Sequence, residues 1–72
     1  MGPCVICGEK SMNIDSIILE NGKAYLLVLR DKYCATCAAK RIEELTKTIK
    51  EKGNVLSIIS ELKYFEELKQ IE

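Results

Sequence analysis

Seventy-two residues make one domain at most, and a core of that size contributes only about 3–5 kcal/mol, so the chain needs a staple or a partner. Eleven basic and eleven acidic side chains cancel to a formal charge of zero, which argues against a uniformly basic protein that coats nucleic acid. Histidine is absent, so the commonest general base is missing, and neither an enzymatic activity nor a catalytic residue is expected.

The chain opens with Met1-Gly2-Pro3-Cys4, which has neither the basic nor the apolar region of a secretory leader. The longest aliphatic run, Ala24 to Leu29, is far too short to span a bilayer. An intracellular, cytoplasmic location without a membrane partner is expected.

Residues 3–10 hold the first cysteine pair, Cys4-Val5-Ile6-Cys7, followed at once by Gly8. Two residues between cysteines let both sulfurs turn to one side of a tight loop. Gly8 can close that loop and aim backbone N–H groups at the sulfurs. Lys10 reads as a solvated lysine close to their negative charge.

Residues 14–30 form a predicted β-hairpin. Ile14–Glu20 leads into Asn21-Gly22, the preferred two-residue type I′ turn, and Lys23–Arg30 returns. Closure there sets Ile18 opposite Tyr25, Ile17 opposite Leu26 and Ile14 opposite Leu29. One face then carries Ile14, Ile18, Tyr25, Leu27 and Leu29, and the other carries Ile17, Leu19, Ala24, Leu26 and Val28. Both are apolar, so both should be covered. Asp15 and Asp31 read as solvated hairpin residues.

The second pair, Cys34-Ala35-Thr36-Cys37, opens a helix predicted over residues 35–52, with Ala38, Ile42, Leu45 and Ile49 on one stripe. Free N–H groups and the positive dipole end favour thiolates at that position. Lys40–Glu44, Glu43–Lys47 and Lys47–Glu51 stand at i,i+4 on the polar side, and Gly53-Asn54 stops the helix. The two pairs together supply the four thiolates of a tetrahedral Zn²⁺ site. The chain between them exceeds the ribbon-type spacing of about 15–20 residues and leaves room for the hairpin. Iron, two local disulfides or a redox pair would use the same cysteines. A reducing compartment favours metal, and a thioredoxin-like redox framework of about a hundred residues does not fit a chain this short. One zinc per chain is expected on Cys4, Cys7, Cys34 and Cys37. Such a site couples metal binding to folding, with about 10–16 kcal/mol of apparent binding energy in finger peptides.

Residues 54–72 carry Val55, Ile58 and Ile59, Leu62, Phe65 and Leu68 at three- and four-residue steps. The spacing predicts an amphipathic helix with Asn54 as its N-cap. A strand over residues 54–59 with a helix from Ser60 is the competing reading. The expected organisation is a metal-binding module, residues 1–53, and a C-terminal helix, 54–72, packed on the same domain or on a partner chain. The fold class is therefore a small zinc-stapled α+β domain with an additional C-terminal helix.

Knuckle, hairpin, then a helix whose first turn gives the last two ligands is the order of a treble-clef zinc finger, which Cys4–Lys52 resembles throughout. Cys4-x-x-Cys7-Gly8 with Lys10 close behind, and Tyr33-Cys34-x-x-Cys37 opening an Ile/Glu/Lys-rich helix, most resemble the N-terminal zinc-binding domain of the ClpX unfoldase. The resemblance implies metal ligation by the four cysteines, a homodimer, and binding of substrates and adaptor proteins. The segment between the pairs is longer here, and residues 54–72 have no counterpart.

Two functions follow as expectations. The first is a structural-zinc module for protein–protein interaction, with a second copy and an unidentified protein as partners and Val55, Ile58, Leu62 and Phe65 as the interface. The second is a nucleic-acid-binding regulator using Lys40, Arg41, Lys47 and Lys50 on the polar side of the first helix. Glu43, Glu44 and Glu51 interrupt that basic surface.

Overall fold

In the computed structural model, which describes residues 2–71, the elements follow the order β1 (Met12–Glu20), β2 (Lys23–Tyr33), α1 (Ala35–Lys52), a 3-10 helix (Val55–Glu61) and β3 (Glu66–Ile71). The strands form one antiparallel sheet in the order β1-β2-β3. Asn21 and Gly22 both take positive φ, 50° and 77°, as a type I′ turn requires. That turn sets the predicted register, with Ile14 opposite Leu29, Ile17 opposite Leu26 and Ile18 opposite Tyr25.

One face of the sheet packs on the two helical elements. Leu27, Leu29 and Tyr33 from β2 meet Ala38 and Leu45 of α1 and Ile58 of the 3-10 helix, each no more than 2% exposed. Tyr33 and Phe65 add an edge-to-face contact with ring centroids 5.3 Å apart. Full burial of a Leu or Ile contributes about 1.5–3 kcal/mol, so this small cluster supplies much of the apolar stabilisation of the fold. The other face is not covered within the chain, contrary to the expectation for a two-faced hairpin. Ile17 and Leu19 remain 59% and 77% exposed.

Residues 54–71 depart from the predicted amphipathic helix, and also from the strand-then-helix alternative, because the order is reversed. The 3-10 helix comes first, and β3 follows it along the free edge of β2, with Leu27 opposite Leu68 and Leu29 opposite Glu66. Asn54 sits at the N-cap position without a side-chain cap; its carbonyl instead accepts from the Ser57 hydroxyl at 2.7 Å. The physical reason is twofold. Val55, Ile58 and Ile59 are β-branched and flanked by serines, a poor composition for a long α-helix. An edge strand, moreover, gains a full ladder of backbone hydrogen bonds from β2. Three-residue steps suit a 3-10 turn as well as they suit an α-helix.

The sheet is interrupted where it approaches the cysteines. A register shift between Met12 and Ile14 lets β2 bulge at Arg30–Lys32, with Asp31 at φ 31°. Ser11, 1% exposed, holds this bulge, its hydroxyl 2.8 Å from Asp31 Oδ1 and 3.0 Å from the Asp31 carbonyl. Asp31 is thus a structural residue of the bulge rather than a solvated one. Bulges re-aim a strand. This one presents the Lys32 carbonyl to the Val5 N–H at 2.8 Å, docking the first cysteine loop beside the start of α1. Among the described residues, no helix is long and apolar enough to cross a membrane.

Candidate metal centre

The first cysteine pair lies in a turn closed by a bridge between Pro3 and Lys10. Gly8 N–H donates to the Cys4 carbonyl at 3.0 Å, and Ile6 N–H points at Cys4 Sγ from 3.5 Å. The second pair begins α1. Cys34 is its N-cap, and Cys34 Sγ accepts from Cys37 N–H at 3.5 Å. Each pair therefore has one sulfur already held by a backbone N–H, the kind of donor that eases charge on a thiolate set.

The four Sγ atoms of Cys4, Cys7, Cys34 and Cys37 lie within 4.8 Å of one another. Zinc held at about 2.3 Å by four sulfurs would set them roughly 3.8 Å apart, so the cluster fits one tetrahedral ion. Cys7 Sγ and Cys34 Sγ are 3.5 Å apart and all four cysteines are free, whereas a disulfide needs about 2.05 Å. With four donors converging from two elements, the protein itself fills a tetrahedral ion's coordination positions, leaving none for water or substrate.

The electrostatics of the cluster set its thiols apart. Burial alone would raise the Cys4 thiol, but N–H groups of Cys7, Cys34 and Ile6 bring it down to about 6. The Glu9 N–H acts to lower Cys7, yet the Cys34 sulfur and burial outweigh it, and the net shift is upward. Cys37 is pushed up to about 12, chiefly by the Cys34 sulfur and then by burial. Convergent sulfurs resist sharing negative charge unless a positive ion sits among them. Cys4 and Cys34 are buried, Cys37 is half-buried and Cys7 is exposed, so one edge of the site faces solvent beside the exposed apolar side chains of Val5 and Ile6.

No protein-family model, no curated protein and no solved structure matches this chain. The four-cysteine cluster is positioned to bind one metal ion.

The remaining predicted site residues are distributed differently. Val55 and Ile58 are 0% exposed and packed inside a single chain, so they offer no surface to a second one. Leu62 and Phe65 are half-buried against the same core. Arg41 is not free for a phosphate: its side chain is 11% exposed and bound to Glu66, Glu44 and the Glu61 carbonyl. Lys40, Lys47 and Lys50 are exposed, but Glu43, Glu44 and Glu51 alternate with them on α1. The predicted i,i+4 ion pairs of α1 are replaced by Arg41–Glu44 at i,i+3 and by Lys52–Glu61, which reaches the 3-10 helix.

Glu66 is not among the residues that the sequence marks. It is 5% exposed in the interior, next to the metal site through Tyr33, and takes four hydrogen bonds there. A lone Glu in a Lys/Glu-rich segment carries no signal of burial. Only the pairing of β3 with β2 turns it inward.

Proposed function

We propose that this chain is a structural-zinc module that serves protein–protein interaction. Zinc rather than another ion is favoured by the all-thiolate tetrahedral donor set. The order of cysteine turn, hairpin and helix supports a treble clef similar to the N-terminal zinc-binding domain of ClpX. In this reading residues 1–53 are the metal-binding module, and the 3-10 helix and β3 close it from the C-terminal side. The metal holds the fold and performs no chemistry.

The observation that carries the interaction role is the uncovered apolar face of the sheet, which includes Ile17, Leu19 and Leu26. Contiguous apolar surface of this kind marks contact sites on folded proteins. A nucleic-acid role draws less support. Its central residue, Arg41, is consumed by Glu66, the neighbouring lysines alternate with glutamates, and the chain is neutral.

A photo-crosslinking residue at position 17, introduced into the metal-loaded protein in cells, tests the interaction role. Protein adducts formed through position 17 are expected. A yield confined to nucleic acid, or no adduct at all, would contradict it.

A further inference from the structure

We infer that Cys7 is an oxidation site: a peroxide reacts there first, and the reaction ends in a Cys7–Cys34 disulfide with release of the metal ion. The inference rests on the zinc reading above and assigns a chemical role to the edge of that site that faces solvent.

Exposure separates the four cysteines. Cys4 and Cys34 are 3% and 9% exposed, and their sulfurs accept from the Ile6 and Cys37 N–H groups, each at 3.5 Å. Cys37 is half-buried in a hollow it shares with Ile6, Tyr33 and Arg41. Cys7 alone of the four is exposed. A ligating cysteine is held as the thiolate, the nucleophilic form, and oxidation selects the thiolate that solvent can reach. An oxidant of a few atoms therefore meets the Cys7 sulfur first.

Position supplies the second sulfur. Cys7 Sγ lies 3.5 Å from Cys34 Sγ, across the junction between the cysteine turn and the start of α1. The Cys7 thiolate attacks one peroxide oxygen: an S–O bond forms, the O–O bond breaks and hydroxide leaves. The Cys34 thiolate then attacks Cys7 Sγ: an S–S bond forms, the S–O bond breaks and a second hydroxide leaves. Each hydroxide takes a proton from solvent. Two sulfurs have lost one electron each, and the two peroxide oxygens have been reduced to water. Cys4 and Cys37 alone remain as ligands, too few to hold a tetrahedral ion.

The choice of partner decides what becomes of the fold. A disulfide within Cys4–Cys7 or within Cys34–Cys37 would leave the turn and the helix untied. Cys7–Cys34 joins the two elements that the ion ties, where the Lys32 carbonyl already accepts from the Val5 N–H at 2.8 Å. The oxidised chain thus loses its metal and keeps its turn docked on α1. A dithiol reductant reverses the exchange.

Treatment of the metal-loaded full chain with one equivalent of hydrogen peroxide tests the proposal. Zinc release is read with a colour-forming chelator, and disulfides are mapped by mass spectrometry of unreduced tryptic peptides. Loss of the one zinc ion per chain is expected, with peptides 1–10 and 33–40 joined through Cys7 and Cys34 and with Cys4 and Cys37 still open to alkylation. A cyclic 1,3-dione present during the reaction should trap the sulfenic acid at Cys7. Circular dichroism should be retained, and a dithiol should restore zinc binding. A disulfide within either peptide, first trapping at another cysteine, or zinc retained throughout would overturn the inference and leave the metal reading standing. A chain that carries no zinc before peroxide is added would overturn both.

Discussion

Glu66 and Arg41 form a bidentate pair between β3 and α1: Arg41 Nε donates to Glu66 Oε2, and a second guanidinium nitrogen donates to Oε1, both at 2.9 Å. The Tyr33 hydroxyl and the Lys63 N–H, at 2.8 and 2.9 Å, complete the shell of the carboxylate. One buried anion thus ties the C-terminal strand to the helix and to the residue preceding Cys34. A buried pair of this kind is costly to break on one side, because the surviving charge stays in the interior without its partner.

Glu66→Gln should therefore destabilise the metal-loaded protein by about 3 kcal/mol, near the low end for such pairs since Arg41 keeps Glu44 and the Glu61 carbonyl. Tyr33→Phe, which removes one donor to a charged acceptor, should cost about 1.5–3 kcal/mol. Denaturant unfolding of both single variants and the double variant checks this. The double variant should lose less than the sum, since both substitutions act on one carboxylate.

Acid should distinguish Glu66→Gln from the wild type. Burial alone would raise the Glu66 carboxyl, but Arg41, the Lys63 N–H and the Tyr33 hydroxyl outweigh it and hold the group below its ordinary value of 4.5. A carboxyl lowered in the folded state contributes stability that is present above 4.5 and lost as pH falls through the folded value. Wild-type stability should accordingly fall towards that of Glu66→Gln below pH 4.5, with the gap widest near neutrality. Loss of metal by protonation of the thiolates acts on both proteins and drops out of the comparison.

The 3-10 helix makes a prediction that a continuous C-terminal helix on a partner surface would not. Ile58, 0% exposed, packs into the core, and Ile58→Ala should cost about 3 kcal/mol. Leu56, 56% exposed, should change stability by less than about 0.5 kcal/mol when replaced by Ala. Thermal unfolding at two protein concentrations would show the Ile58 loss to be independent of concentration, as expected for a contact within one chain.

The hairpin and the four-cysteine cluster were legible because each is written locally. Asn21-Gly22 fixes the turn, the turn fixes the register, and two-residue spacing fixes each sulfur pair. The first helix was legible from its stripe of Ala38, Ile42, Leu45 and Ile49. Residues 54–71 were not, because a three-residue apolar step serves a 3-10 turn as readily as an α-helix, and the choice of strand for Glu66–Ile71 depends on a free edge of β2 that local pattern does not show. The roles of Asp31 and Arg41 were hidden for the same reason. Each acquires its partner, Ser11 or Glu66, only through tertiary pairing.

In the zinc-module reading proposed above, four thiolates hold one metal ion and the fold depends on it. Native mass spectrometry of the protein purified without chelator or added metal, followed by circular dichroism after chelation, measures both. One zinc ion per chain with all four cysteines reduced is expected, together with loss of most ordered structure when the ion is removed. A metal-free chain, lighter by the hydrogens of two disulfides and folded all the same, would contradict it.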